Sequence, residues 1–431
     1  MHRLVECPPL VPEYQFCISI KTCWPKVIYF NYVLYILMRI KYLKTYYNAY
    51  LQHPSFPNVL VNGASPYDER VMSMPSLLVT TNAPQKVNVS ADVQVCNGAY
   101  FFFIFNYENY YHFLYDTLPY LHFYYNLSKD NIVKLLVPAN HKFLKFQVEI
   151  LNLLGLSGHL EFAKDNVFYD VLYIPSSLTH GQLLSGGHAS NDPYSNECRA
   201  IWSRLSTAIL LRPVDSEMPK RIYISRRTHL HGDASNIGTN YTTRRRCINE
   251  DDVVGVLREY GFAEVFCELL STEDKIRMFN SATHIVGFIG GGMANSLFSP
   301  PSTSVGCIVT PEFLTINSRF RDSMTHADVD FLDITRLAPH LGDHPLYVRI
   351  KVTDSDSPYF SKIGEIDAYL PESESYVVKF STNDIAGFSL SGDFISVQLS
   401  SSKFAAIDCG LNSPFICDID CLRKYLDDKA K

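Results

Sequence analysis

The chain has 431 residues, a net charge of −6, a pI near 6.2 and 47% hydrophobic residues. That is length enough for two buried cores and an accessory segment. The acidic balance argues against a nucleic-acid partner despite local arginine clusters. Its 11 cysteines form no CxxC pair and no zinc spacing.

Residues 1–92 read as a proline-punctuated stem. Within it Val27 to Met38 is apolar except for Asn31 and is flanked by Lys26 and Arg39. The run is shorter than the roughly 20 residues of a membrane helix. It is open as a signal anchor, hence a membrane association, or as a buried or interfacial helix. Cys7, Cys17 and Cys23 near the start, and Cys409, Cys417 and Cys421 near the end, could form disulfides. Sequons at Asn88, Asn126 and Asn240 permit glycosylation in a secretory compartment.

A first α/β unit is expected over 93–212. It begins with a long strand, Val93 to Phe105, and a helix from Glu108 to Tyr125. Strands at 132–137 and 167–174, a helix at 142–154 and a Trp202-bearing helix at 196–211 follow. On the first helix Glu108, His112 and Asp116 are spaced four apart, which stacks them on one face. A carboxylate–imidazole–carboxylate row suits general-base chemistry. The plainer alternative is a histidine satisfied within a core or on a surface. Two ligands at this spacing do not make a metal site.

Pro213 to Pro219 reads as a linker, and a second unit is expected over 220–342. A strand at 221–225 ends in Ser225-Arg226-Arg227, and a loop carries Arg244-Arg245-Arg246. Asn249 is placed to cap a helix over 250–260 whose first turn holds Glu250, Asp251 and Asp252, and Gly261 to close it. A strand is expected over Phe262 to Glu268, and Ser271 caps a helix bearing Ile276 and Phe279. The strand Ile285 to Ile289 then runs through Gly290-Gly291-Gly292 into an expected helix with Asn295 in its first turn. Ser304 to Val309 is one more strand. Alternation of this kind implies a parallel, doubly wound sheet with ligands at the carboxyl ends of its strands. Glycines at a strand-to-helix turn suit a diphosphate, although the spacing fits neither the dinucleotide fingerprint nor the P-loop. A tight packing turn is the plain alternative. From 343 to 431 alternating runs at 347–352, 375–380 and 394–399 indicate a β-rich addition closed by a helix over 418–427. Asp354-Ser355-Asp356 and Asp418-Ile419-Asp420 read as loop and cap chemistry rather than a metal site.

The run Asn109-Tyr110-Tyr111-His112-Phe113-Leu114-Tyr115-Asp116-Thr117-Leu118-Pro119 resembles the Asn-x-x-His-Phe-x-x-Asp-x-Leu-Pro signature of glycosyltransferase family 61. The Ile-Ser-Arg-Arg strand end, Arg246 with Asn249 and Glu250, the Gly261-Phe262 turn and the glycine-rich turn with Ala294-Asn295 and Leu297-Phe298 follow in order. The resemblance spans about 95–312. It implies a GT-B architecture of two facing Rossmann-like domains. It also implies transfer with inversion from a UDP-sugar, commonly of xylose, arabinose or N-acetylglucosamine, to a glycan or glycoprotein hydroxyl.

In such a displacement His112 or Asp116 would be the base, with the other as its partner. Arg226 and Arg246 would clamp the diphosphate, ahead of Arg227, Arg244 and Arg245. Gly290, Gly291 and Gly292 would cradle the phosphates, and Asn295 would bond the nucleotide. Glu250 would contact sugar or ribose, or simply sit at a helix N-terminus. No cofactor or metal is expected, and the secretory pathway or a virus using it is the expected setting. Two positions depart from the family pattern: Ile289 where it usually has histidine, and Lys275 where it commonly has glutamine. A catalytically silent nucleotide- or carbohydrate-binding protein is the alternative they favour.

Overall fold

The computed structural model describes residues 43–52, 58–61, 94–103, 109–129, 132–137, 139, 142–164, 167–175, 178, 196–211, 217–227, 245–310, 328–381, 394–407 and 413–429. The apolar run 27–38, Glu108, Arg244, the sequons at Asn88 and Asn240, and Cys7, Cys17, Cys23 and Cys409 lie outside these residues. Among the described residues no helix is long and apolar enough to cross a membrane. The chain divides into two compact units, Met1–Ala208 and Ile209–Lys431.

The first unit is built on one six-stranded sheet. Its strands are β1 (Leu43–Gln52), β2 (Asn58–Val61), β3 (Gln94–Phe102), β4 (Val133–Val137), β5 (Leu160–Phe162) and β6 (Val167–Pro175), in the order β2-β1-β6-β3-β4-β5. β6, β3, β4 and β5 run parallel, and β1 and β2 extend the edge antiparallel. The parallel strands are apolar where both faces are covered, as at Phe101, Phe102, Leu135 and Leu136. Strand order reverses between β3 and β6, so the carboxyl end of β3 is a topological switch point.

The helix expected after β3 is divided. It consists of a single turn, α1 (Tyr110–His112), a π-helical stretch Phe113–Thr117, a 3-10 turn Leu118–Tyr120 and α2 (Leu121–Leu127). Pro119 is the physical cause. Its ring cannot donate to the ladder and crowds the carbonyl of Tyr115 four residues back, so the helix widens ahead of it. The Leu118 N–H bonds Phe113 O, one residue beyond the α register. In that register Leu114 O would need an N–H from Pro119, which has none. The indole of Trp202, on α4 (Asn196–Leu210), supplies one instead, Nε1 to Leu114 O at 2.9 Å. The remaining helix of the unit, α3 (Lys145–Leu153), starts three residues later than expected.

The second unit holds a five-stranded, wholly parallel sheet of β7 (Arg221–Ile224), β8 (Ala263–Val265), β9 (His284–Phe288), β10 (Ser304–Ile308) and β11 (Asp328–Leu332), ordered β8-β7-β9-β10-β11. This is the doubly wound α/β pattern, and its switch point lies between β7 and β9. Val253, Val254, Val256 and Leu257 of α5 (Glu250–Glu259) pack with Tyr223, Val286, Phe288 and Ile308 of the sheet in one core. Gly261 ends that helix in the left-handed region (φ 78), with Phe262 N bonded to Leu257 O at 3.0 Å. Asn249 does not cap α5 through its side chain, which instead accepts from Cys417 N and donates to Cys417 O, both at 2.9 Å. Ser271 does cap α6 (Thr272–Ser281), accepting from Asp274 N. The strand expected through Glu268 stops at Val265 and gives way to a 3-10 turn, Cys267–Leu269.

A β-rich addition follows. After β12 (Thr335–Leu337), β13 (His340–Leu341) and β14 (His344–Pro345) come β15 (Arg349–Val352), β16 (Ile363–Leu370), β17 (Ser375–Ser381), β18 (Phe394–Ser400) and β19 (Phe404–Ala406). The last five form an antiparallel sheet, β18-β17-β16-β15-β19, over a core of Val348, Ile350, Val352, Ile366, Val378 and Phe380. β20 (Phe415–Cys417) pairs with β12, and α7 (Ile419–Lys429) sends Leu422 and Leu426 into the core beneath the parallel sheet.

Candidate active site

Each unit carries a group of chemistry-bearing residues just past the carboxyl end of a switch-point strand. In the first unit Asn109 precedes α1, and its side chain accepts from His112 N at 3.2 Å. The widened turn brings His112 Nδ1 to 2.6 Å from Asp116 Oδ2; the Asp116 side chain is fully buried and that of His112 is 33% exposed. A carboxylate can only accept, so Nδ1 donates in this contact; in a neutral imidazole Nε2 would then hold the lone pair. An imidazole oriented by a buried carboxylate is the geometry that general-base chemistry requires. Tyr111 stacks on Tyr115 at 4.6 Å, and Tyr115 meets Trp202 at 5.1 Å, so the wall behind the pair is packed aromatic surface.

In the second unit the glycine turn follows β9. The element after it is a buried 3-10 helix, Met293–Phe298, rather than the expected α-helix. Its early N–H groups are already used: Ala294 N donates to Gly291 O and Asn295 N to Gly292 O, each at 3.2 Å. The glycines are not needed for a left-handed conformation, since none of the three has a positive φ. Close approach explains two of them. A Cβ at Gly290 would stand 2.6 Å from Arg226 Nη1 and 3.8 Å from Arg245 Nη2. One at Gly292 would stand 2.7 Å from Ile224 Cγ2, at the end of β7. Only Gly291, exposed and with nothing within 4 Å of a built Cβ, leaves its backbone open to a ligand. Asn295 is fully buried and donates its amide to Gly292 O at 2.9 Å, which fixes the turn from beneath.

The arginines sort differently from the sequence expectation. Arg226 leaves the end of β7 and lies against Gly290. Burial lowers its pKa while Glu250 opposes that shift, and an arginine stays charged throughout. Arg245 reaches the same turn and donates Nη1 to Ile289 O at 3.2 Å. Arg246, expected to join Arg226, is turned away: Nη1 donates to Glu365 at 2.6 Å, and the guanidinium lies 4.5 Å over the Tyr347 ring. Arg245 has a left-handed backbone (φ 57), and from it the two adjacent guanidiniums go to different places. Arg227 forks onto Glu264, with Nη2 2.7 Å from Oε2, and also meets Asp251.

Glu250 is buried under the site. Its Oε1 accepts from Tyr223 Oη at 2.7 Å, Ser225 Oγ at 3.3 Å and Arg226 N at 2.8 Å. Burial raises its pKa against those hydrogen bonds and the nearby arginines, and burial together with Glu250 pushes the Tyr223 phenol well up. Its place is therefore behind Arg226, holding the end of β7. Lys275 is buried on α6 and lowers the Cys267 thiol, which burial and Glu268 nonetheless push up to about 12. Cys267 would touch a Cβ at Gly292.

Sequence reasoning ranked Arg245 behind Arg246, and gave no part to Trp202 or Glu365. A positive φ at Arg245 has no local sequence signature, whereas Pro119 inside a helical pattern is a signal that Leu114 O needs an outside donor.

No curated protein is similar enough to the chain to count as a match. Residues 110–306, which run from the His112 turn into β10, match the family model Glycosyltransferase 61, and this part of the chain is similar to that family.

Proposed function

We propose that the protein transfers a sugar with inversion from a UDP-sugar to a hydroxyl of a glycan or glycoprotein, within a GT-B architecture. Support comes above all from one observation: two guanidiniums, Arg226 and Arg245, converge on Gly290 at the carboxyl-end switch point of a wholly parallel sheet. Guanidinium forks match phosphate oxygens, and positive charge there stabilises a departing diphosphate. Gly291 leaves room for the phosphates to approach the backbone. Gly290, Gly292, Asn295 and Glu250 shape that turn from within.

His112 Nε2 takes the acceptor hydroxyl proton as the oxygen attacks the anomeric carbon and the bond to UDP breaks. Asp116 holds the imidazolium that results. In this reading the two arginines meet the charge of the leaving group without a divalent cation. Xylose, arabinose and N-acetylglucosamine are the donor sugars to test, and the secretory pathway is the proposed setting. Ile289, buried where the family usually has histidine, favours a second reading, a protein that binds nucleotide without turnover.

The test is UDP release from a panel of UDP-sugars, with and without EDTA, by the wild type and His112→Ala. Release from one donor, insensitive to EDTA and lost in the variant, supports the transferase. Saturable UDP binding with no release supports the second reading.

A further inference from the structure

Residues 245–249 are pinned from two sides inside the second unit. On one side β20 holds the backbone: Phe415 N donates to Arg246 O at 2.9 Å and Ile248 N to Phe415 O at 2.8 Å. On the other side the β-rich sheet holds the Arg246 side chain, through Glu365 of β16 at 2.6 Å and the Tyr347 ring at 4.5 Å. Glu365 is only 6% exposed. Tyr347 is itself in the left-handed region (φ 61) and anchored by its N–H to Ile366 O at 2.9 Å. The residue in front of this clamp, Arg245, has φ 57, a conformation that a non-glycine residue keeps only when its surroundings impose it. From that backbone it reaches Ile289 O and the Gly290 turn.

A buried ion pair contributes little net stability compared with an apolar pair of the same volume, but it fixes geometry. Here the geometry it fixes is one residue from a site guanidinium. We propose that the Glu365–Arg246 pair is a positioning contact for the donor site, by which the C-terminal β-sheet holds residues 245–247 in the conformation that aims Arg245 at the Gly290 turn. This rests on the reading of that turn as a phosphate site. It gives the β-rich addition, which lies outside the segment matched to the family, a part in donor binding. Glu365 touches no substrate in this account; it acts through Arg246 and Arg245.

The experiment compares full-length wild type, Glu365→Gln, Arg245→Ala and the double variant at pH 8, each first checked for cooperative thermal unfolding. UDP affinity is measured by calorimetry and backbone exchange over 245–250 by hydrogen–deuterium exchange. Glu365→Gln is expected to weaken UDP about tenfold and to speed exchange across 245–250. In the Arg245→Ala background it is expected to weaken UDP no further, because the residue it positions is gone. A purely structural Glu365 would cost the same in both backgrounds, and that result overturns the proposal. Unchanged exchange across 245–250 in Glu365→Gln overturns it independently of any ligand. If wild type binds no UDP, the phosphate reading of the turn falls, and the exchange arm still decides whether Glu365 holds the segment.

Discussion

The three glycines after β9 offer a set of substitutions whose outcomes should differ although the residues are adjacent. Gly292→Ala drives a methyl group to 2.7 Å from Ile224 Cγ2, a packed side chain at the end of a core strand. Overpacking of this kind costs about 1–3 kcal/mol. Gly290→Ala meets Arg226 Nη1 at 2.6 Å, the far end of a flexible side chain that can swing away. Its stability cost should stay under about 1 kcal/mol, but the displaced guanidinium would forfeit a charge-assisted hydrogen bond worth about 1.5–3 kcal/mol, or roughly 10- to 100-fold in UDP affinity. Gly291→Ala meets nothing within 4 Å and has no positive φ, so its stability should be unchanged or raised by up to about 1 kcal/mol. Any loss of UDP affinity there reports a ligand against the backbone. Chemical denaturation and calorimetry on the three variants measure both quantities. Equal destabilisation by all three, or a Gly290→Ala protein that binds UDP like wild type, would refute the reasoning.

Two further outcomes follow from the contacts around each unit's site. Trp202→Phe should keep the aromatic packing but leave the buried Leu114 carbonyl without its indole donor, costing about 1–3 kcal/mol; turnover should fall while UDP affinity stays unchanged, and parallel kinetics and calorimetry check this. Burial pushes Glu365 up to about 7, against Arg246 and Lys379 and with Asp367, and Arg349 stands opposite it in register. Because the folded protein then holds this proton more tightly than the unfolded chain, the contribution is full below about pH 4.5 and is lost as pH rises through about 7. At about 1.4 kcal/mol per pH unit that gap is worth roughly 3 kcal/mol. Denaturation at pH 5 and pH 8 should show wild type losing stability relative to Glu365→Gln by that order; a flat or opposite trend would contradict it.

The parts of the fold set by local pattern were legible. Apolar strands with turn signals between them gave the central parallel strands of both sheets, and alternating runs gave β15, β17 and β18; β1 and β2, in the segment read as a stem, and β5, β11, β16 and β19 were not foreseen. The His112–Asp116 pairing was legible because spacing of four survives on a helical face. The widening at Phe113–Thr117 was not, since an α-periodic reading assumes one register, although Pro119 was the clue. Glycines 290–292 were recognised as marking a close approach, but the partner was mistaken: two of them admit protein side chains. That Arg245 rather than Arg246 reaches the Gly290 turn was not legible, because composition cannot say which of two adjacent arginines faces inward. The deciding contacts come from Glu365 and Tyr347, about 100 residues further along the chain, where no local signal points back.

The switch point between β7 and β9 is where the donor diphosphate is proposed to bind. Calorimetric titration of UDP into wild type, Arg226→Ala and Arg245→Ala tests this most directly. Saturable binding by wild type, weakened at least tenfold in each variant with folding intact, is the predicted result. Equal UDP affinity in all three proteins, or none in a folded wild type, would contradict it.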